Sequence, residues 1–463
     1  MKNTDDRRRE KRAEKRKKQG LDLARDPLLP LVLHFALPAI LSYFISELYN
    51  MVDTFYVGNA VGPDAIGALG AVFPVQRLVI ALSLLFAFAT ANRMAFYQGL
   101  DNQEEAEKTV AAGLILNLIF MIPYTLIVYF FRREIMPFLG AKDALFIPAV
   151  DYVSIIIWGS TFLTLSTTMA RILLTLGHAT LSVILSASGA VINIIADHIL
   201  VKNHGMGVHG AAYATLASQI LSFVFALIAY LLITRKIAFR FRPTFSFRRF
   251  KDLFLLGLPS FIVESEDAVV MAVLNLLLFR TAGETGVSVL AMDTKVYMFL
   301  FVLILGFAYG MQTIVAFNHG AGNSERVNKT VKLSLGLSLI SSLVSSALFF
   351  IFAEPLLELF VKDQTLISLC KVTFRIMITG LPLLSFYYTG VMYYQAMGEA
   401  KKSLLLTLLR QIAILLPLAM VFVLLFRVRL RTLFFVYPLT DLIASGIVTA
   451  LLLKEGKKRR SRS

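Results

Sequence analysis

Twelve apolar stretches recur along this chain, at about 28–51, 65–90, 110–131, 145–168, 178–201, 209–232, 252–279, 287–315, 331–353, 366–390, 402–426 and 432–453. Each is close to the roughly 20 residues an α-helix needs to cross a bilayer. The expected fold class is therefore an all-α polytopic membrane protein with twelve transmembrane helices. Composition agrees: of 463 residues, 57% are hydrophobic and 16% charged, where soluble proteins run nearer half and a quarter. The spans consume the chain, so a large extramembrane enzymatic domain is excluded and the protein is not expected to be an enzyme. Cys370, the one cysteine, excludes an internal disulfide framework, an iron–sulfur cluster or a cysteine-based zinc site. The six histidines form no HExxH and no close pair at metal spacing.

A net charge of +16 would suggest nucleic acid in a soluble protein, so its placement matters. Residues 1–26 hold eleven Lys or Arg. The run that follows, Leu28 through Met51, is too long for a signal-peptide core and lacks a small-residue cleavage site, so it reads as a retained span. With the amino terminus cytoplasmic, segments 1–26, 91–109, 169–178, 233–251, 318–332, 400–402 and 454–463 collect 32 of the 46 basic residues, and the opposite loops collect nine. The positive-inside rule then puts both termini in the cytoplasm of a multi-pass protein of the cell membrane. The expected divisions are a basic tail 1–26, an N-lobe 27–232, a basic linker 233–251, a C-lobe 252–453 and a basic tail 454–463. The linker, with seven basic residues, is expected to lie against anionic headgroups. The tails read as topology signals in contact with lipid, and no nucleic-acid partner is expected.

The halves repeat. Leu37-Pro38 matches Leu258-Pro259, QGLDNQEEAEKTV at 98–110 matches HGAGNSERVNKTV at 319–331, and Gly177-His178-Ala179 matches Gly398-Glu399-Ala400, all at an offset of 221. Two six-helix lobes follow, and because six is even they are parallel repeats about an axis along the membrane normal. Such pairs place a substrate cavity between lobes and alternate its access by rocking. No Walker motif is present, so ATP drive has no support.

The halves differ in acidic chemistry. Asp53 in the first span falls opposite Leu274, Asn193 in the fifth opposite Ile414, and Asp197 opposite Leu418. Asn193 and Asp197 share a helix face one turn apart. Thr215 in the sixth span lies about 12 Å below the outer start of its helix at 1.5 Å per residue, a depth comparable to that of the two aspartates. These helices can bring together two carboxylates, an amide and a hydroxyl. An intramembrane acid usually faces a cavity and works as a proton or ion site, and two neighbouring carboxylates raise each other's proton affinity. A proton, or Na⁺ at Asp53, Asn193 and Asp197, could be held there. The plainer alternative is a pair of helix-end residues at headgroup level.

Within the second lobe, LPSFIVESEDAVV places Glu264, Glu266 and Asp267 inside a span, with Lys295, Arg375 and Arg410 as basic counterparts. They form either ion pairs that fix the lobe, which the cost of unpaired buried charge favours, or a charged cavity wall or ion site. Glu47 faces either the cavity or an interlobe contact. The glycine-dotted stretch 58–70 reads as an outer turn followed by close helix packing.

Four segments carry a family resemblance: LYNMVDTFYVGNAVGPDAIGALGAVFPV at 48–75, NIIADHILV at 193–201, GMQTIVAFNHGAGNSERV at 310–327 and YYQAMGEAKKS at 393–403. The chain resembles the multidrug and toxic compound extrusion (MATE) family, in its DinF-like branch, over nearly everything after residue 27. The resemblance implies a V-shaped pair of six-helix bundles and export of organic solutes in exchange for H⁺ or Na⁺. It also implies a first-lobe cation site at Asp53, Asn193, Asp197 and Thr215, and an acid in the seventh helix where Glu266 or Asp267 stands. This chain departs from the family at Leu174-Thr175-Leu176-Gly177 and at Asn92 and Arg93. With Lys295, Arg375 and Arg410, these departures open the substrate to anions or zwitterions.

The expected function is a secondary antiporter that exports small amphipathic organic compounds by alternating access. Its partners would be a small organic substrate and membrane lipids, it would act as a monomer, and it would use no cofactor beyond the coupling ion. The nearest rival is a lipid-linked oligosaccharide or lipid flippase of the same superfamily, which a strongly basic cavity on both lobes would favour.

Overall fold

The computed structural model describes residues 22–61, 63–139, 141, 145–358, 364–426 and 428–460, without the side chains of 46–61, 63–67, 267, 268, 284 and 456–460. Twelve long helices follow one another: α1 (Leu28–Val61), α2 (Pro63–Gly99), α3 (Gln103–Phe130), α4 (Phe146–Thr175), α5 (Ala179–Asn203), α6 (Gly207–Lys236), α7 (247–282), α8 (284–320), α9 (Ser324–Ile351), α10 (Gln364–Ala396), α11 (Ala400–Leu425) and α12 (Val436–Arg460). α7 gives way to α8 at Gly283, whose φ of 62° and ψ of −148° are not helical. Eleven segments are long and apolar enough to cross a membrane among the described residues. α7 is outside that set, in keeping with the three acids it carries between Glu264 and Asp267.

The anchors of the sequence repeat are the turns at the face where the chain enters α1 and leaves α12. Asn102 caps α3 by accepting from the Glu105 N–H at 3.1 Å, and Asn323 caps α9 by accepting from the Arg326 N–H at 3.0 Å. Such caps satisfy donors that have no partner inside a helix. Just before them the chain turns through left-handed backbone, at Asp101 with φ 59° in the first lobe and at Gly322 with φ 72° in the second. Gly177 and Gly398 make the other matching pair, at φ 92° and 78°.

Lipid dissolves apolar side chains as readily as the protein does, so polar and small residues are what packing draws inward. Along α9, Ser334, Ser338, Ser342 and Ser346 are buried while Ile340, Leu343 and Val344 are exposed. Ser334 donates to the Phe307 carbonyl at 2.9 Å, and Ser338 and Ser342 meet the Ser385 hydroxyl at 3.0 and 3.2 Å. In the first lobe Asn117 does similar work, accepting from Thr164 at 2.7 Å and donating to Thr168 at 3.3 Å.

The lobes meet along a seam where α1 and α2 pack on α7 and α8. At the face where the chain enters α1 and leaves α12 the backbones touch: a Cβ on Gly99 would lie 1.9 Å from the Phe317 carbonyl oxygen, and one on Gly320 would lie 2.0 Å from the Phe96 carbonyl oxygen. Deeper in, Asn92 donates to Gln312 at 3.2 Å, and Gln312 donates to Gln395 at 2.6 Å. Asn92, one of the departures from the family pattern, is thus a seam residue.

The linker is shorter than the sequence suggested, because α6 runs to Lys236 and α7 starts at Phe247. Two of its cations have protein partners. Arg242 pairs with Glu107 at 2.8 Å and Glu104 at 3.4 Å, and Arg249 at the start of α7 pairs with Glu105 at 2.9 Å. The acids come from the first turns of α3, where negative charge also suits the helix dipole.

Candidate ion site and substrate cavity

Asn193, Asp197 and Thr215 come together as expected. All three are buried, at 0%, 0% and 1% exposure. Asn193 donates to the Thr215 hydroxyl at 3.3 Å. With its amide turned over, it donates instead to Asp197 Oδ2 at 2.8 Å and accepts from the Thr215 N–H at 3.2 Å. Asp197 is the last residue before the chain widens into a π-helical turn, His198–Asn203, a feature often found at functional sites. At an offset of 221 that turn falls on 419–424, and α11 widens there too, over Val421–Leu425. The wide turn thus belongs to both lobes, whereas the acid belongs to the first. The Asp53 and Glu47 side chains lie outside the described residues. The helix that carries them, α1, packs along α5 and its wide turn.

A buried carboxylate with an amide and a hydroxyl offers oxygen ligands suited to a proton or a small hard cation. Among the described residues no group of three His, Cys, Asp or Glu could hold a metal ion.

Three of the second-lobe charges have partners outside the set. Glu264 reaches across the seam to Arg77, at 2.7 Å. Arg410 pairs with Asp441 of α12, Nε to Oδ1 at 2.9 Å, with both side chains almost fully buried. Arg375 donates to the Phe350 carbonyl at 2.9 Å and lies over that ring. Glu266 is buried, Lys295 is exposed, and the Asp267 side chain is outside the described residues. Sequence reasoning missed two acids here: Asp441, and Asp293 of α8, which is fully buried and faces Cys370 and Thr373. A lone acid within a span was the signal available for both.

A cavity of about 270 Å³ opens within the first lobe, bounded by α1, α2, α4, α5 and α6. Its lining is mainly apolar, with hydroxyls from Ser166, Thr167, Ser186, Ser218 and Ser222. Gly189, one turn before Asn193, and Ser218 and Gln219, about one turn after Thr215, all line it. The oxygen cluster and the cavity therefore share α5 and α6. Arg171, which sequence reasoning counted among the topology-setting charges, lines the cavity as well. One Nη donates to the Tyr309 carbonyl of the second lobe at 3.1 Å, and the guanidinium lies 4.0 Å from the centre of the Phe88 ring. Tyr309 stacks on Phe88 and on Tyr43, at 4.1 and 5.8 Å between centroids.

The MatE family profile matches residues 38–199 and 259–421, once in each lobe. The chain is similar to the multidrug export protein MepA of Staphylococcus aureus (strain MRSA252), 21% identical over 400 residues that cover 84% of this chain and 86% of that protein. Two solved structures share its fold. One is a multidrug resistance MATE family transporter of the MOP superfamily in an outward-facing conformation, with TM-score 0.88, 25% identity, and coverage of 95% of this chain and 97% of that one. The other is a MOP superfamily transporter from Pyrococcus furiosus, described as having a binding pocket of reverse polarity that suggests a different function. It has TM-score 0.87, 25% identity and the same coverage.

Proposed function

Because the chain belongs to the MatE family, whose profile spans both lobes, we propose that this membrane transporter is a cation-coupled antiporter that exports small amphipathic organic compounds. Efflux of drug-like solutes is the role named for its relative MepA. The coupling ion is H⁺ or Na⁺, held at Asp197 with Asn193, Thr215 and Asp53, and both termini lie in the cytoplasm of a plasma-membrane protein that works as a monomer.

One observation supports this reading above the others: the buried Asp197–Asn193–Thr215 cluster and the cavity are built on the same two helices, about a turn apart. An ion arriving at the cluster neutralises a carboxylate in a low-dielectric interior, which alters how α5 and α6 pack. Those helices also carry Gly189, Ser218 and Gln219 of the cavity wall, so ion occupancy and substrate affinity are linked. Linkage of that kind runs in both directions: a substrate that favours one packing weakens the hold on an ion that favours the other. The seam is closed at the end where the chain enters α1 and leaves α12; in an outward-facing state of this kind the ion is loaded and substrate released. A flippase would want basic side chains from both lobes in its cavity; among the described lining residues there is one, Arg171.

The test is exchange in proteoliposomes, driven by a pH gradient and then by a Na⁺ gradient. Asp197→Asn and Asp53→Asn proteins, made at normal levels, are expected to lose gradient-driven transport while still binding substrate. Transport with unchanged pH and Na⁺ dependence in both variants would overturn the proposal.

A further inference from the structure

The first-lobe cavity has a polarity of its own. Among its described lining residues, Arg171 alone carries a formal charge; the rest are apolar, hydroxyl or amide. A guanidinium removed from water normally needs a carboxylate partner, as Arg410 has in Asp441 and Arg77 has in Glu264. Arg171 is held by the Tyr309 carbonyl and the face of Phe88, and its Nε has no hydrogen-bond partner. A carbonyl and a ring fix the orientation of the cation without neutralising it. Elsewhere on the cavity wall the Ser222 hydroxyl also lacks a partner. The cavity thus has an oriented positive charge, hydroxyls from Ser166 and Thr167, and a greasy wall formed by Leu163, Leu174 and Leu185.

We propose that this cavity takes an amphipathic organic anion, with a carboxylate or sulfonate group against the Arg171 guanidinium and an aromatic or alkyl body along the leucine wall. The inference rests on the antiporter reading and names its substrate class. Arg171 suits the task because its planar group presents several donors in a fixed geometry and stays charged out of water. Hydrogen bonds between charged partners are the stronger ones, and the desolvated setting sharpens the preference for one sign of charge. The Tyr309 contact comes from the opposite lobe, so rocking the lobes apart frees a donor and alters the anion's hold.

Two probes with the same ring and opposite charge test this: naphthalene sulfonate and naphthyl trimethylammonium, titrated calorimetrically into the purified full chain in a neutral detergent. The sulfonate is expected to bind about tenfold or more tightly than the ammonium. Arg171→Gln is expected to remove about that factor for the sulfonate alone, and Arg171→Lys, which keeps the charge without the planar donors, to retain part of it. Tighter binding of the ammonium, no binding of either probe to the wild-type protein, or a sulfonate affinity untouched in a folded Arg171→Gln protein overturns the proposal. The wild-type comparison needs no variant to fold. Gradient-driven exchange of both probes separates the two readings. Sulfonate binding without exchange of either probe sinks the antiporter and leaves the anion site, whereas exchange of the ammonium without sulfonate binding does the reverse.

Discussion

Arg77 of α2 and Glu264 of α7 form an ion pair across the seam between the lobes, 2.7 Å apart and with both side chains largely buried. The Phe73 ring lies under the guanidinium at 4.9 Å. Any rocking that opens the seam at this depth must break the pair. Arg77→Gln and Glu264→Gln singly are each expected to destabilise the conformation seen here by about 1–3 kcal/mol, since each strands a partly buried charge. The double substitution should recover about 1 kcal/mol relative to additivity. Thermal unfolding of the four proteins in detergent measures the cycle, and strictly additive losses would show that the pair carries no coupling.

Arg410 and Asp441 are a different kind of pair, internal to the second lobe and sealed from water. Removing one partner of such a pair leaves the other as an uncompensated buried charge, at a cost of about 3–5 kcal/mol. Arg410→Met should therefore lower thermal stability strongly, while Arg410→Met with Asp441→Leu should be milder than Arg410→Met alone. A double variant less stable than the single one would count against this account.

The backbone contact at Gly99 makes the closed end of the seam sensitive to a single carbon. A Cβ there would meet the Phe317 carbonyl at 1.9 Å, and overpacking costs about 1–3 kcal/mol. Gly99→Ala is expected to shift the protein toward conformations open at that end, by about fivefold to a hundredfold in population. In a Cys370→Ser background, the rate at which a membrane-impermeant thiol reagent labels Asn92→Cys reports the shift. Equal labelling with and without the Gly99 substitution would contradict it.

His178, in the turn before α5, has its imidazole held below its ordinary value of 6.5, first by burial and then by the charges of Lys236 and His34. Between the folded and unfolded values, the unfolded chain holds more protons. Stability contributed by this group is therefore complete above about pH 6.5 and declines as pH falls through that window. His178→Asn is expected to flatten the decline in thermal stability between about pH 7 and pH 5. An equally steep decline in the variant would assign the effect to other groups.

What the sequence could and could not disclose follows from how far apart in the chain the partners lie. Asn193 and Asp197 were legible because a four-residue step on one helix is a near neighbour in space, and Thr215 because depth in a membrane can be counted from a helix end. The twelve spans were legible because lipid forces each segment to satisfy its own backbone. Arg410 was visible as a buried cation, but Asp441, 31 residues on and in the next helix, was not visible as its partner, since helix rotation decides which residues face each other. Glu264 was read as one of a set within its own lobe, yet it is paired 187 residues away in the other lobe. Arg171 was misplaced for a related reason: a basic residue near a helix end can set topology or turn inward, and only tertiary packing selects between them.

The serines of α9 hold a final consequence. They recur every four residues, while the helix turns every 3.6, so each step carries the hydroxyl about 40° further round the axis. Ser334 therefore addresses the Phe307 carbonyl on α8, and a turn or two later Ser338 and Ser342 address Ser385 on α10. The stripe is a spiral, and by passing from one neighbour to the next it sews three helices together at successive depths. Were the spacing to alternate between three and four, the same four hydroxyls would stay in line along one flank, and α9 would be fastened to a single partner.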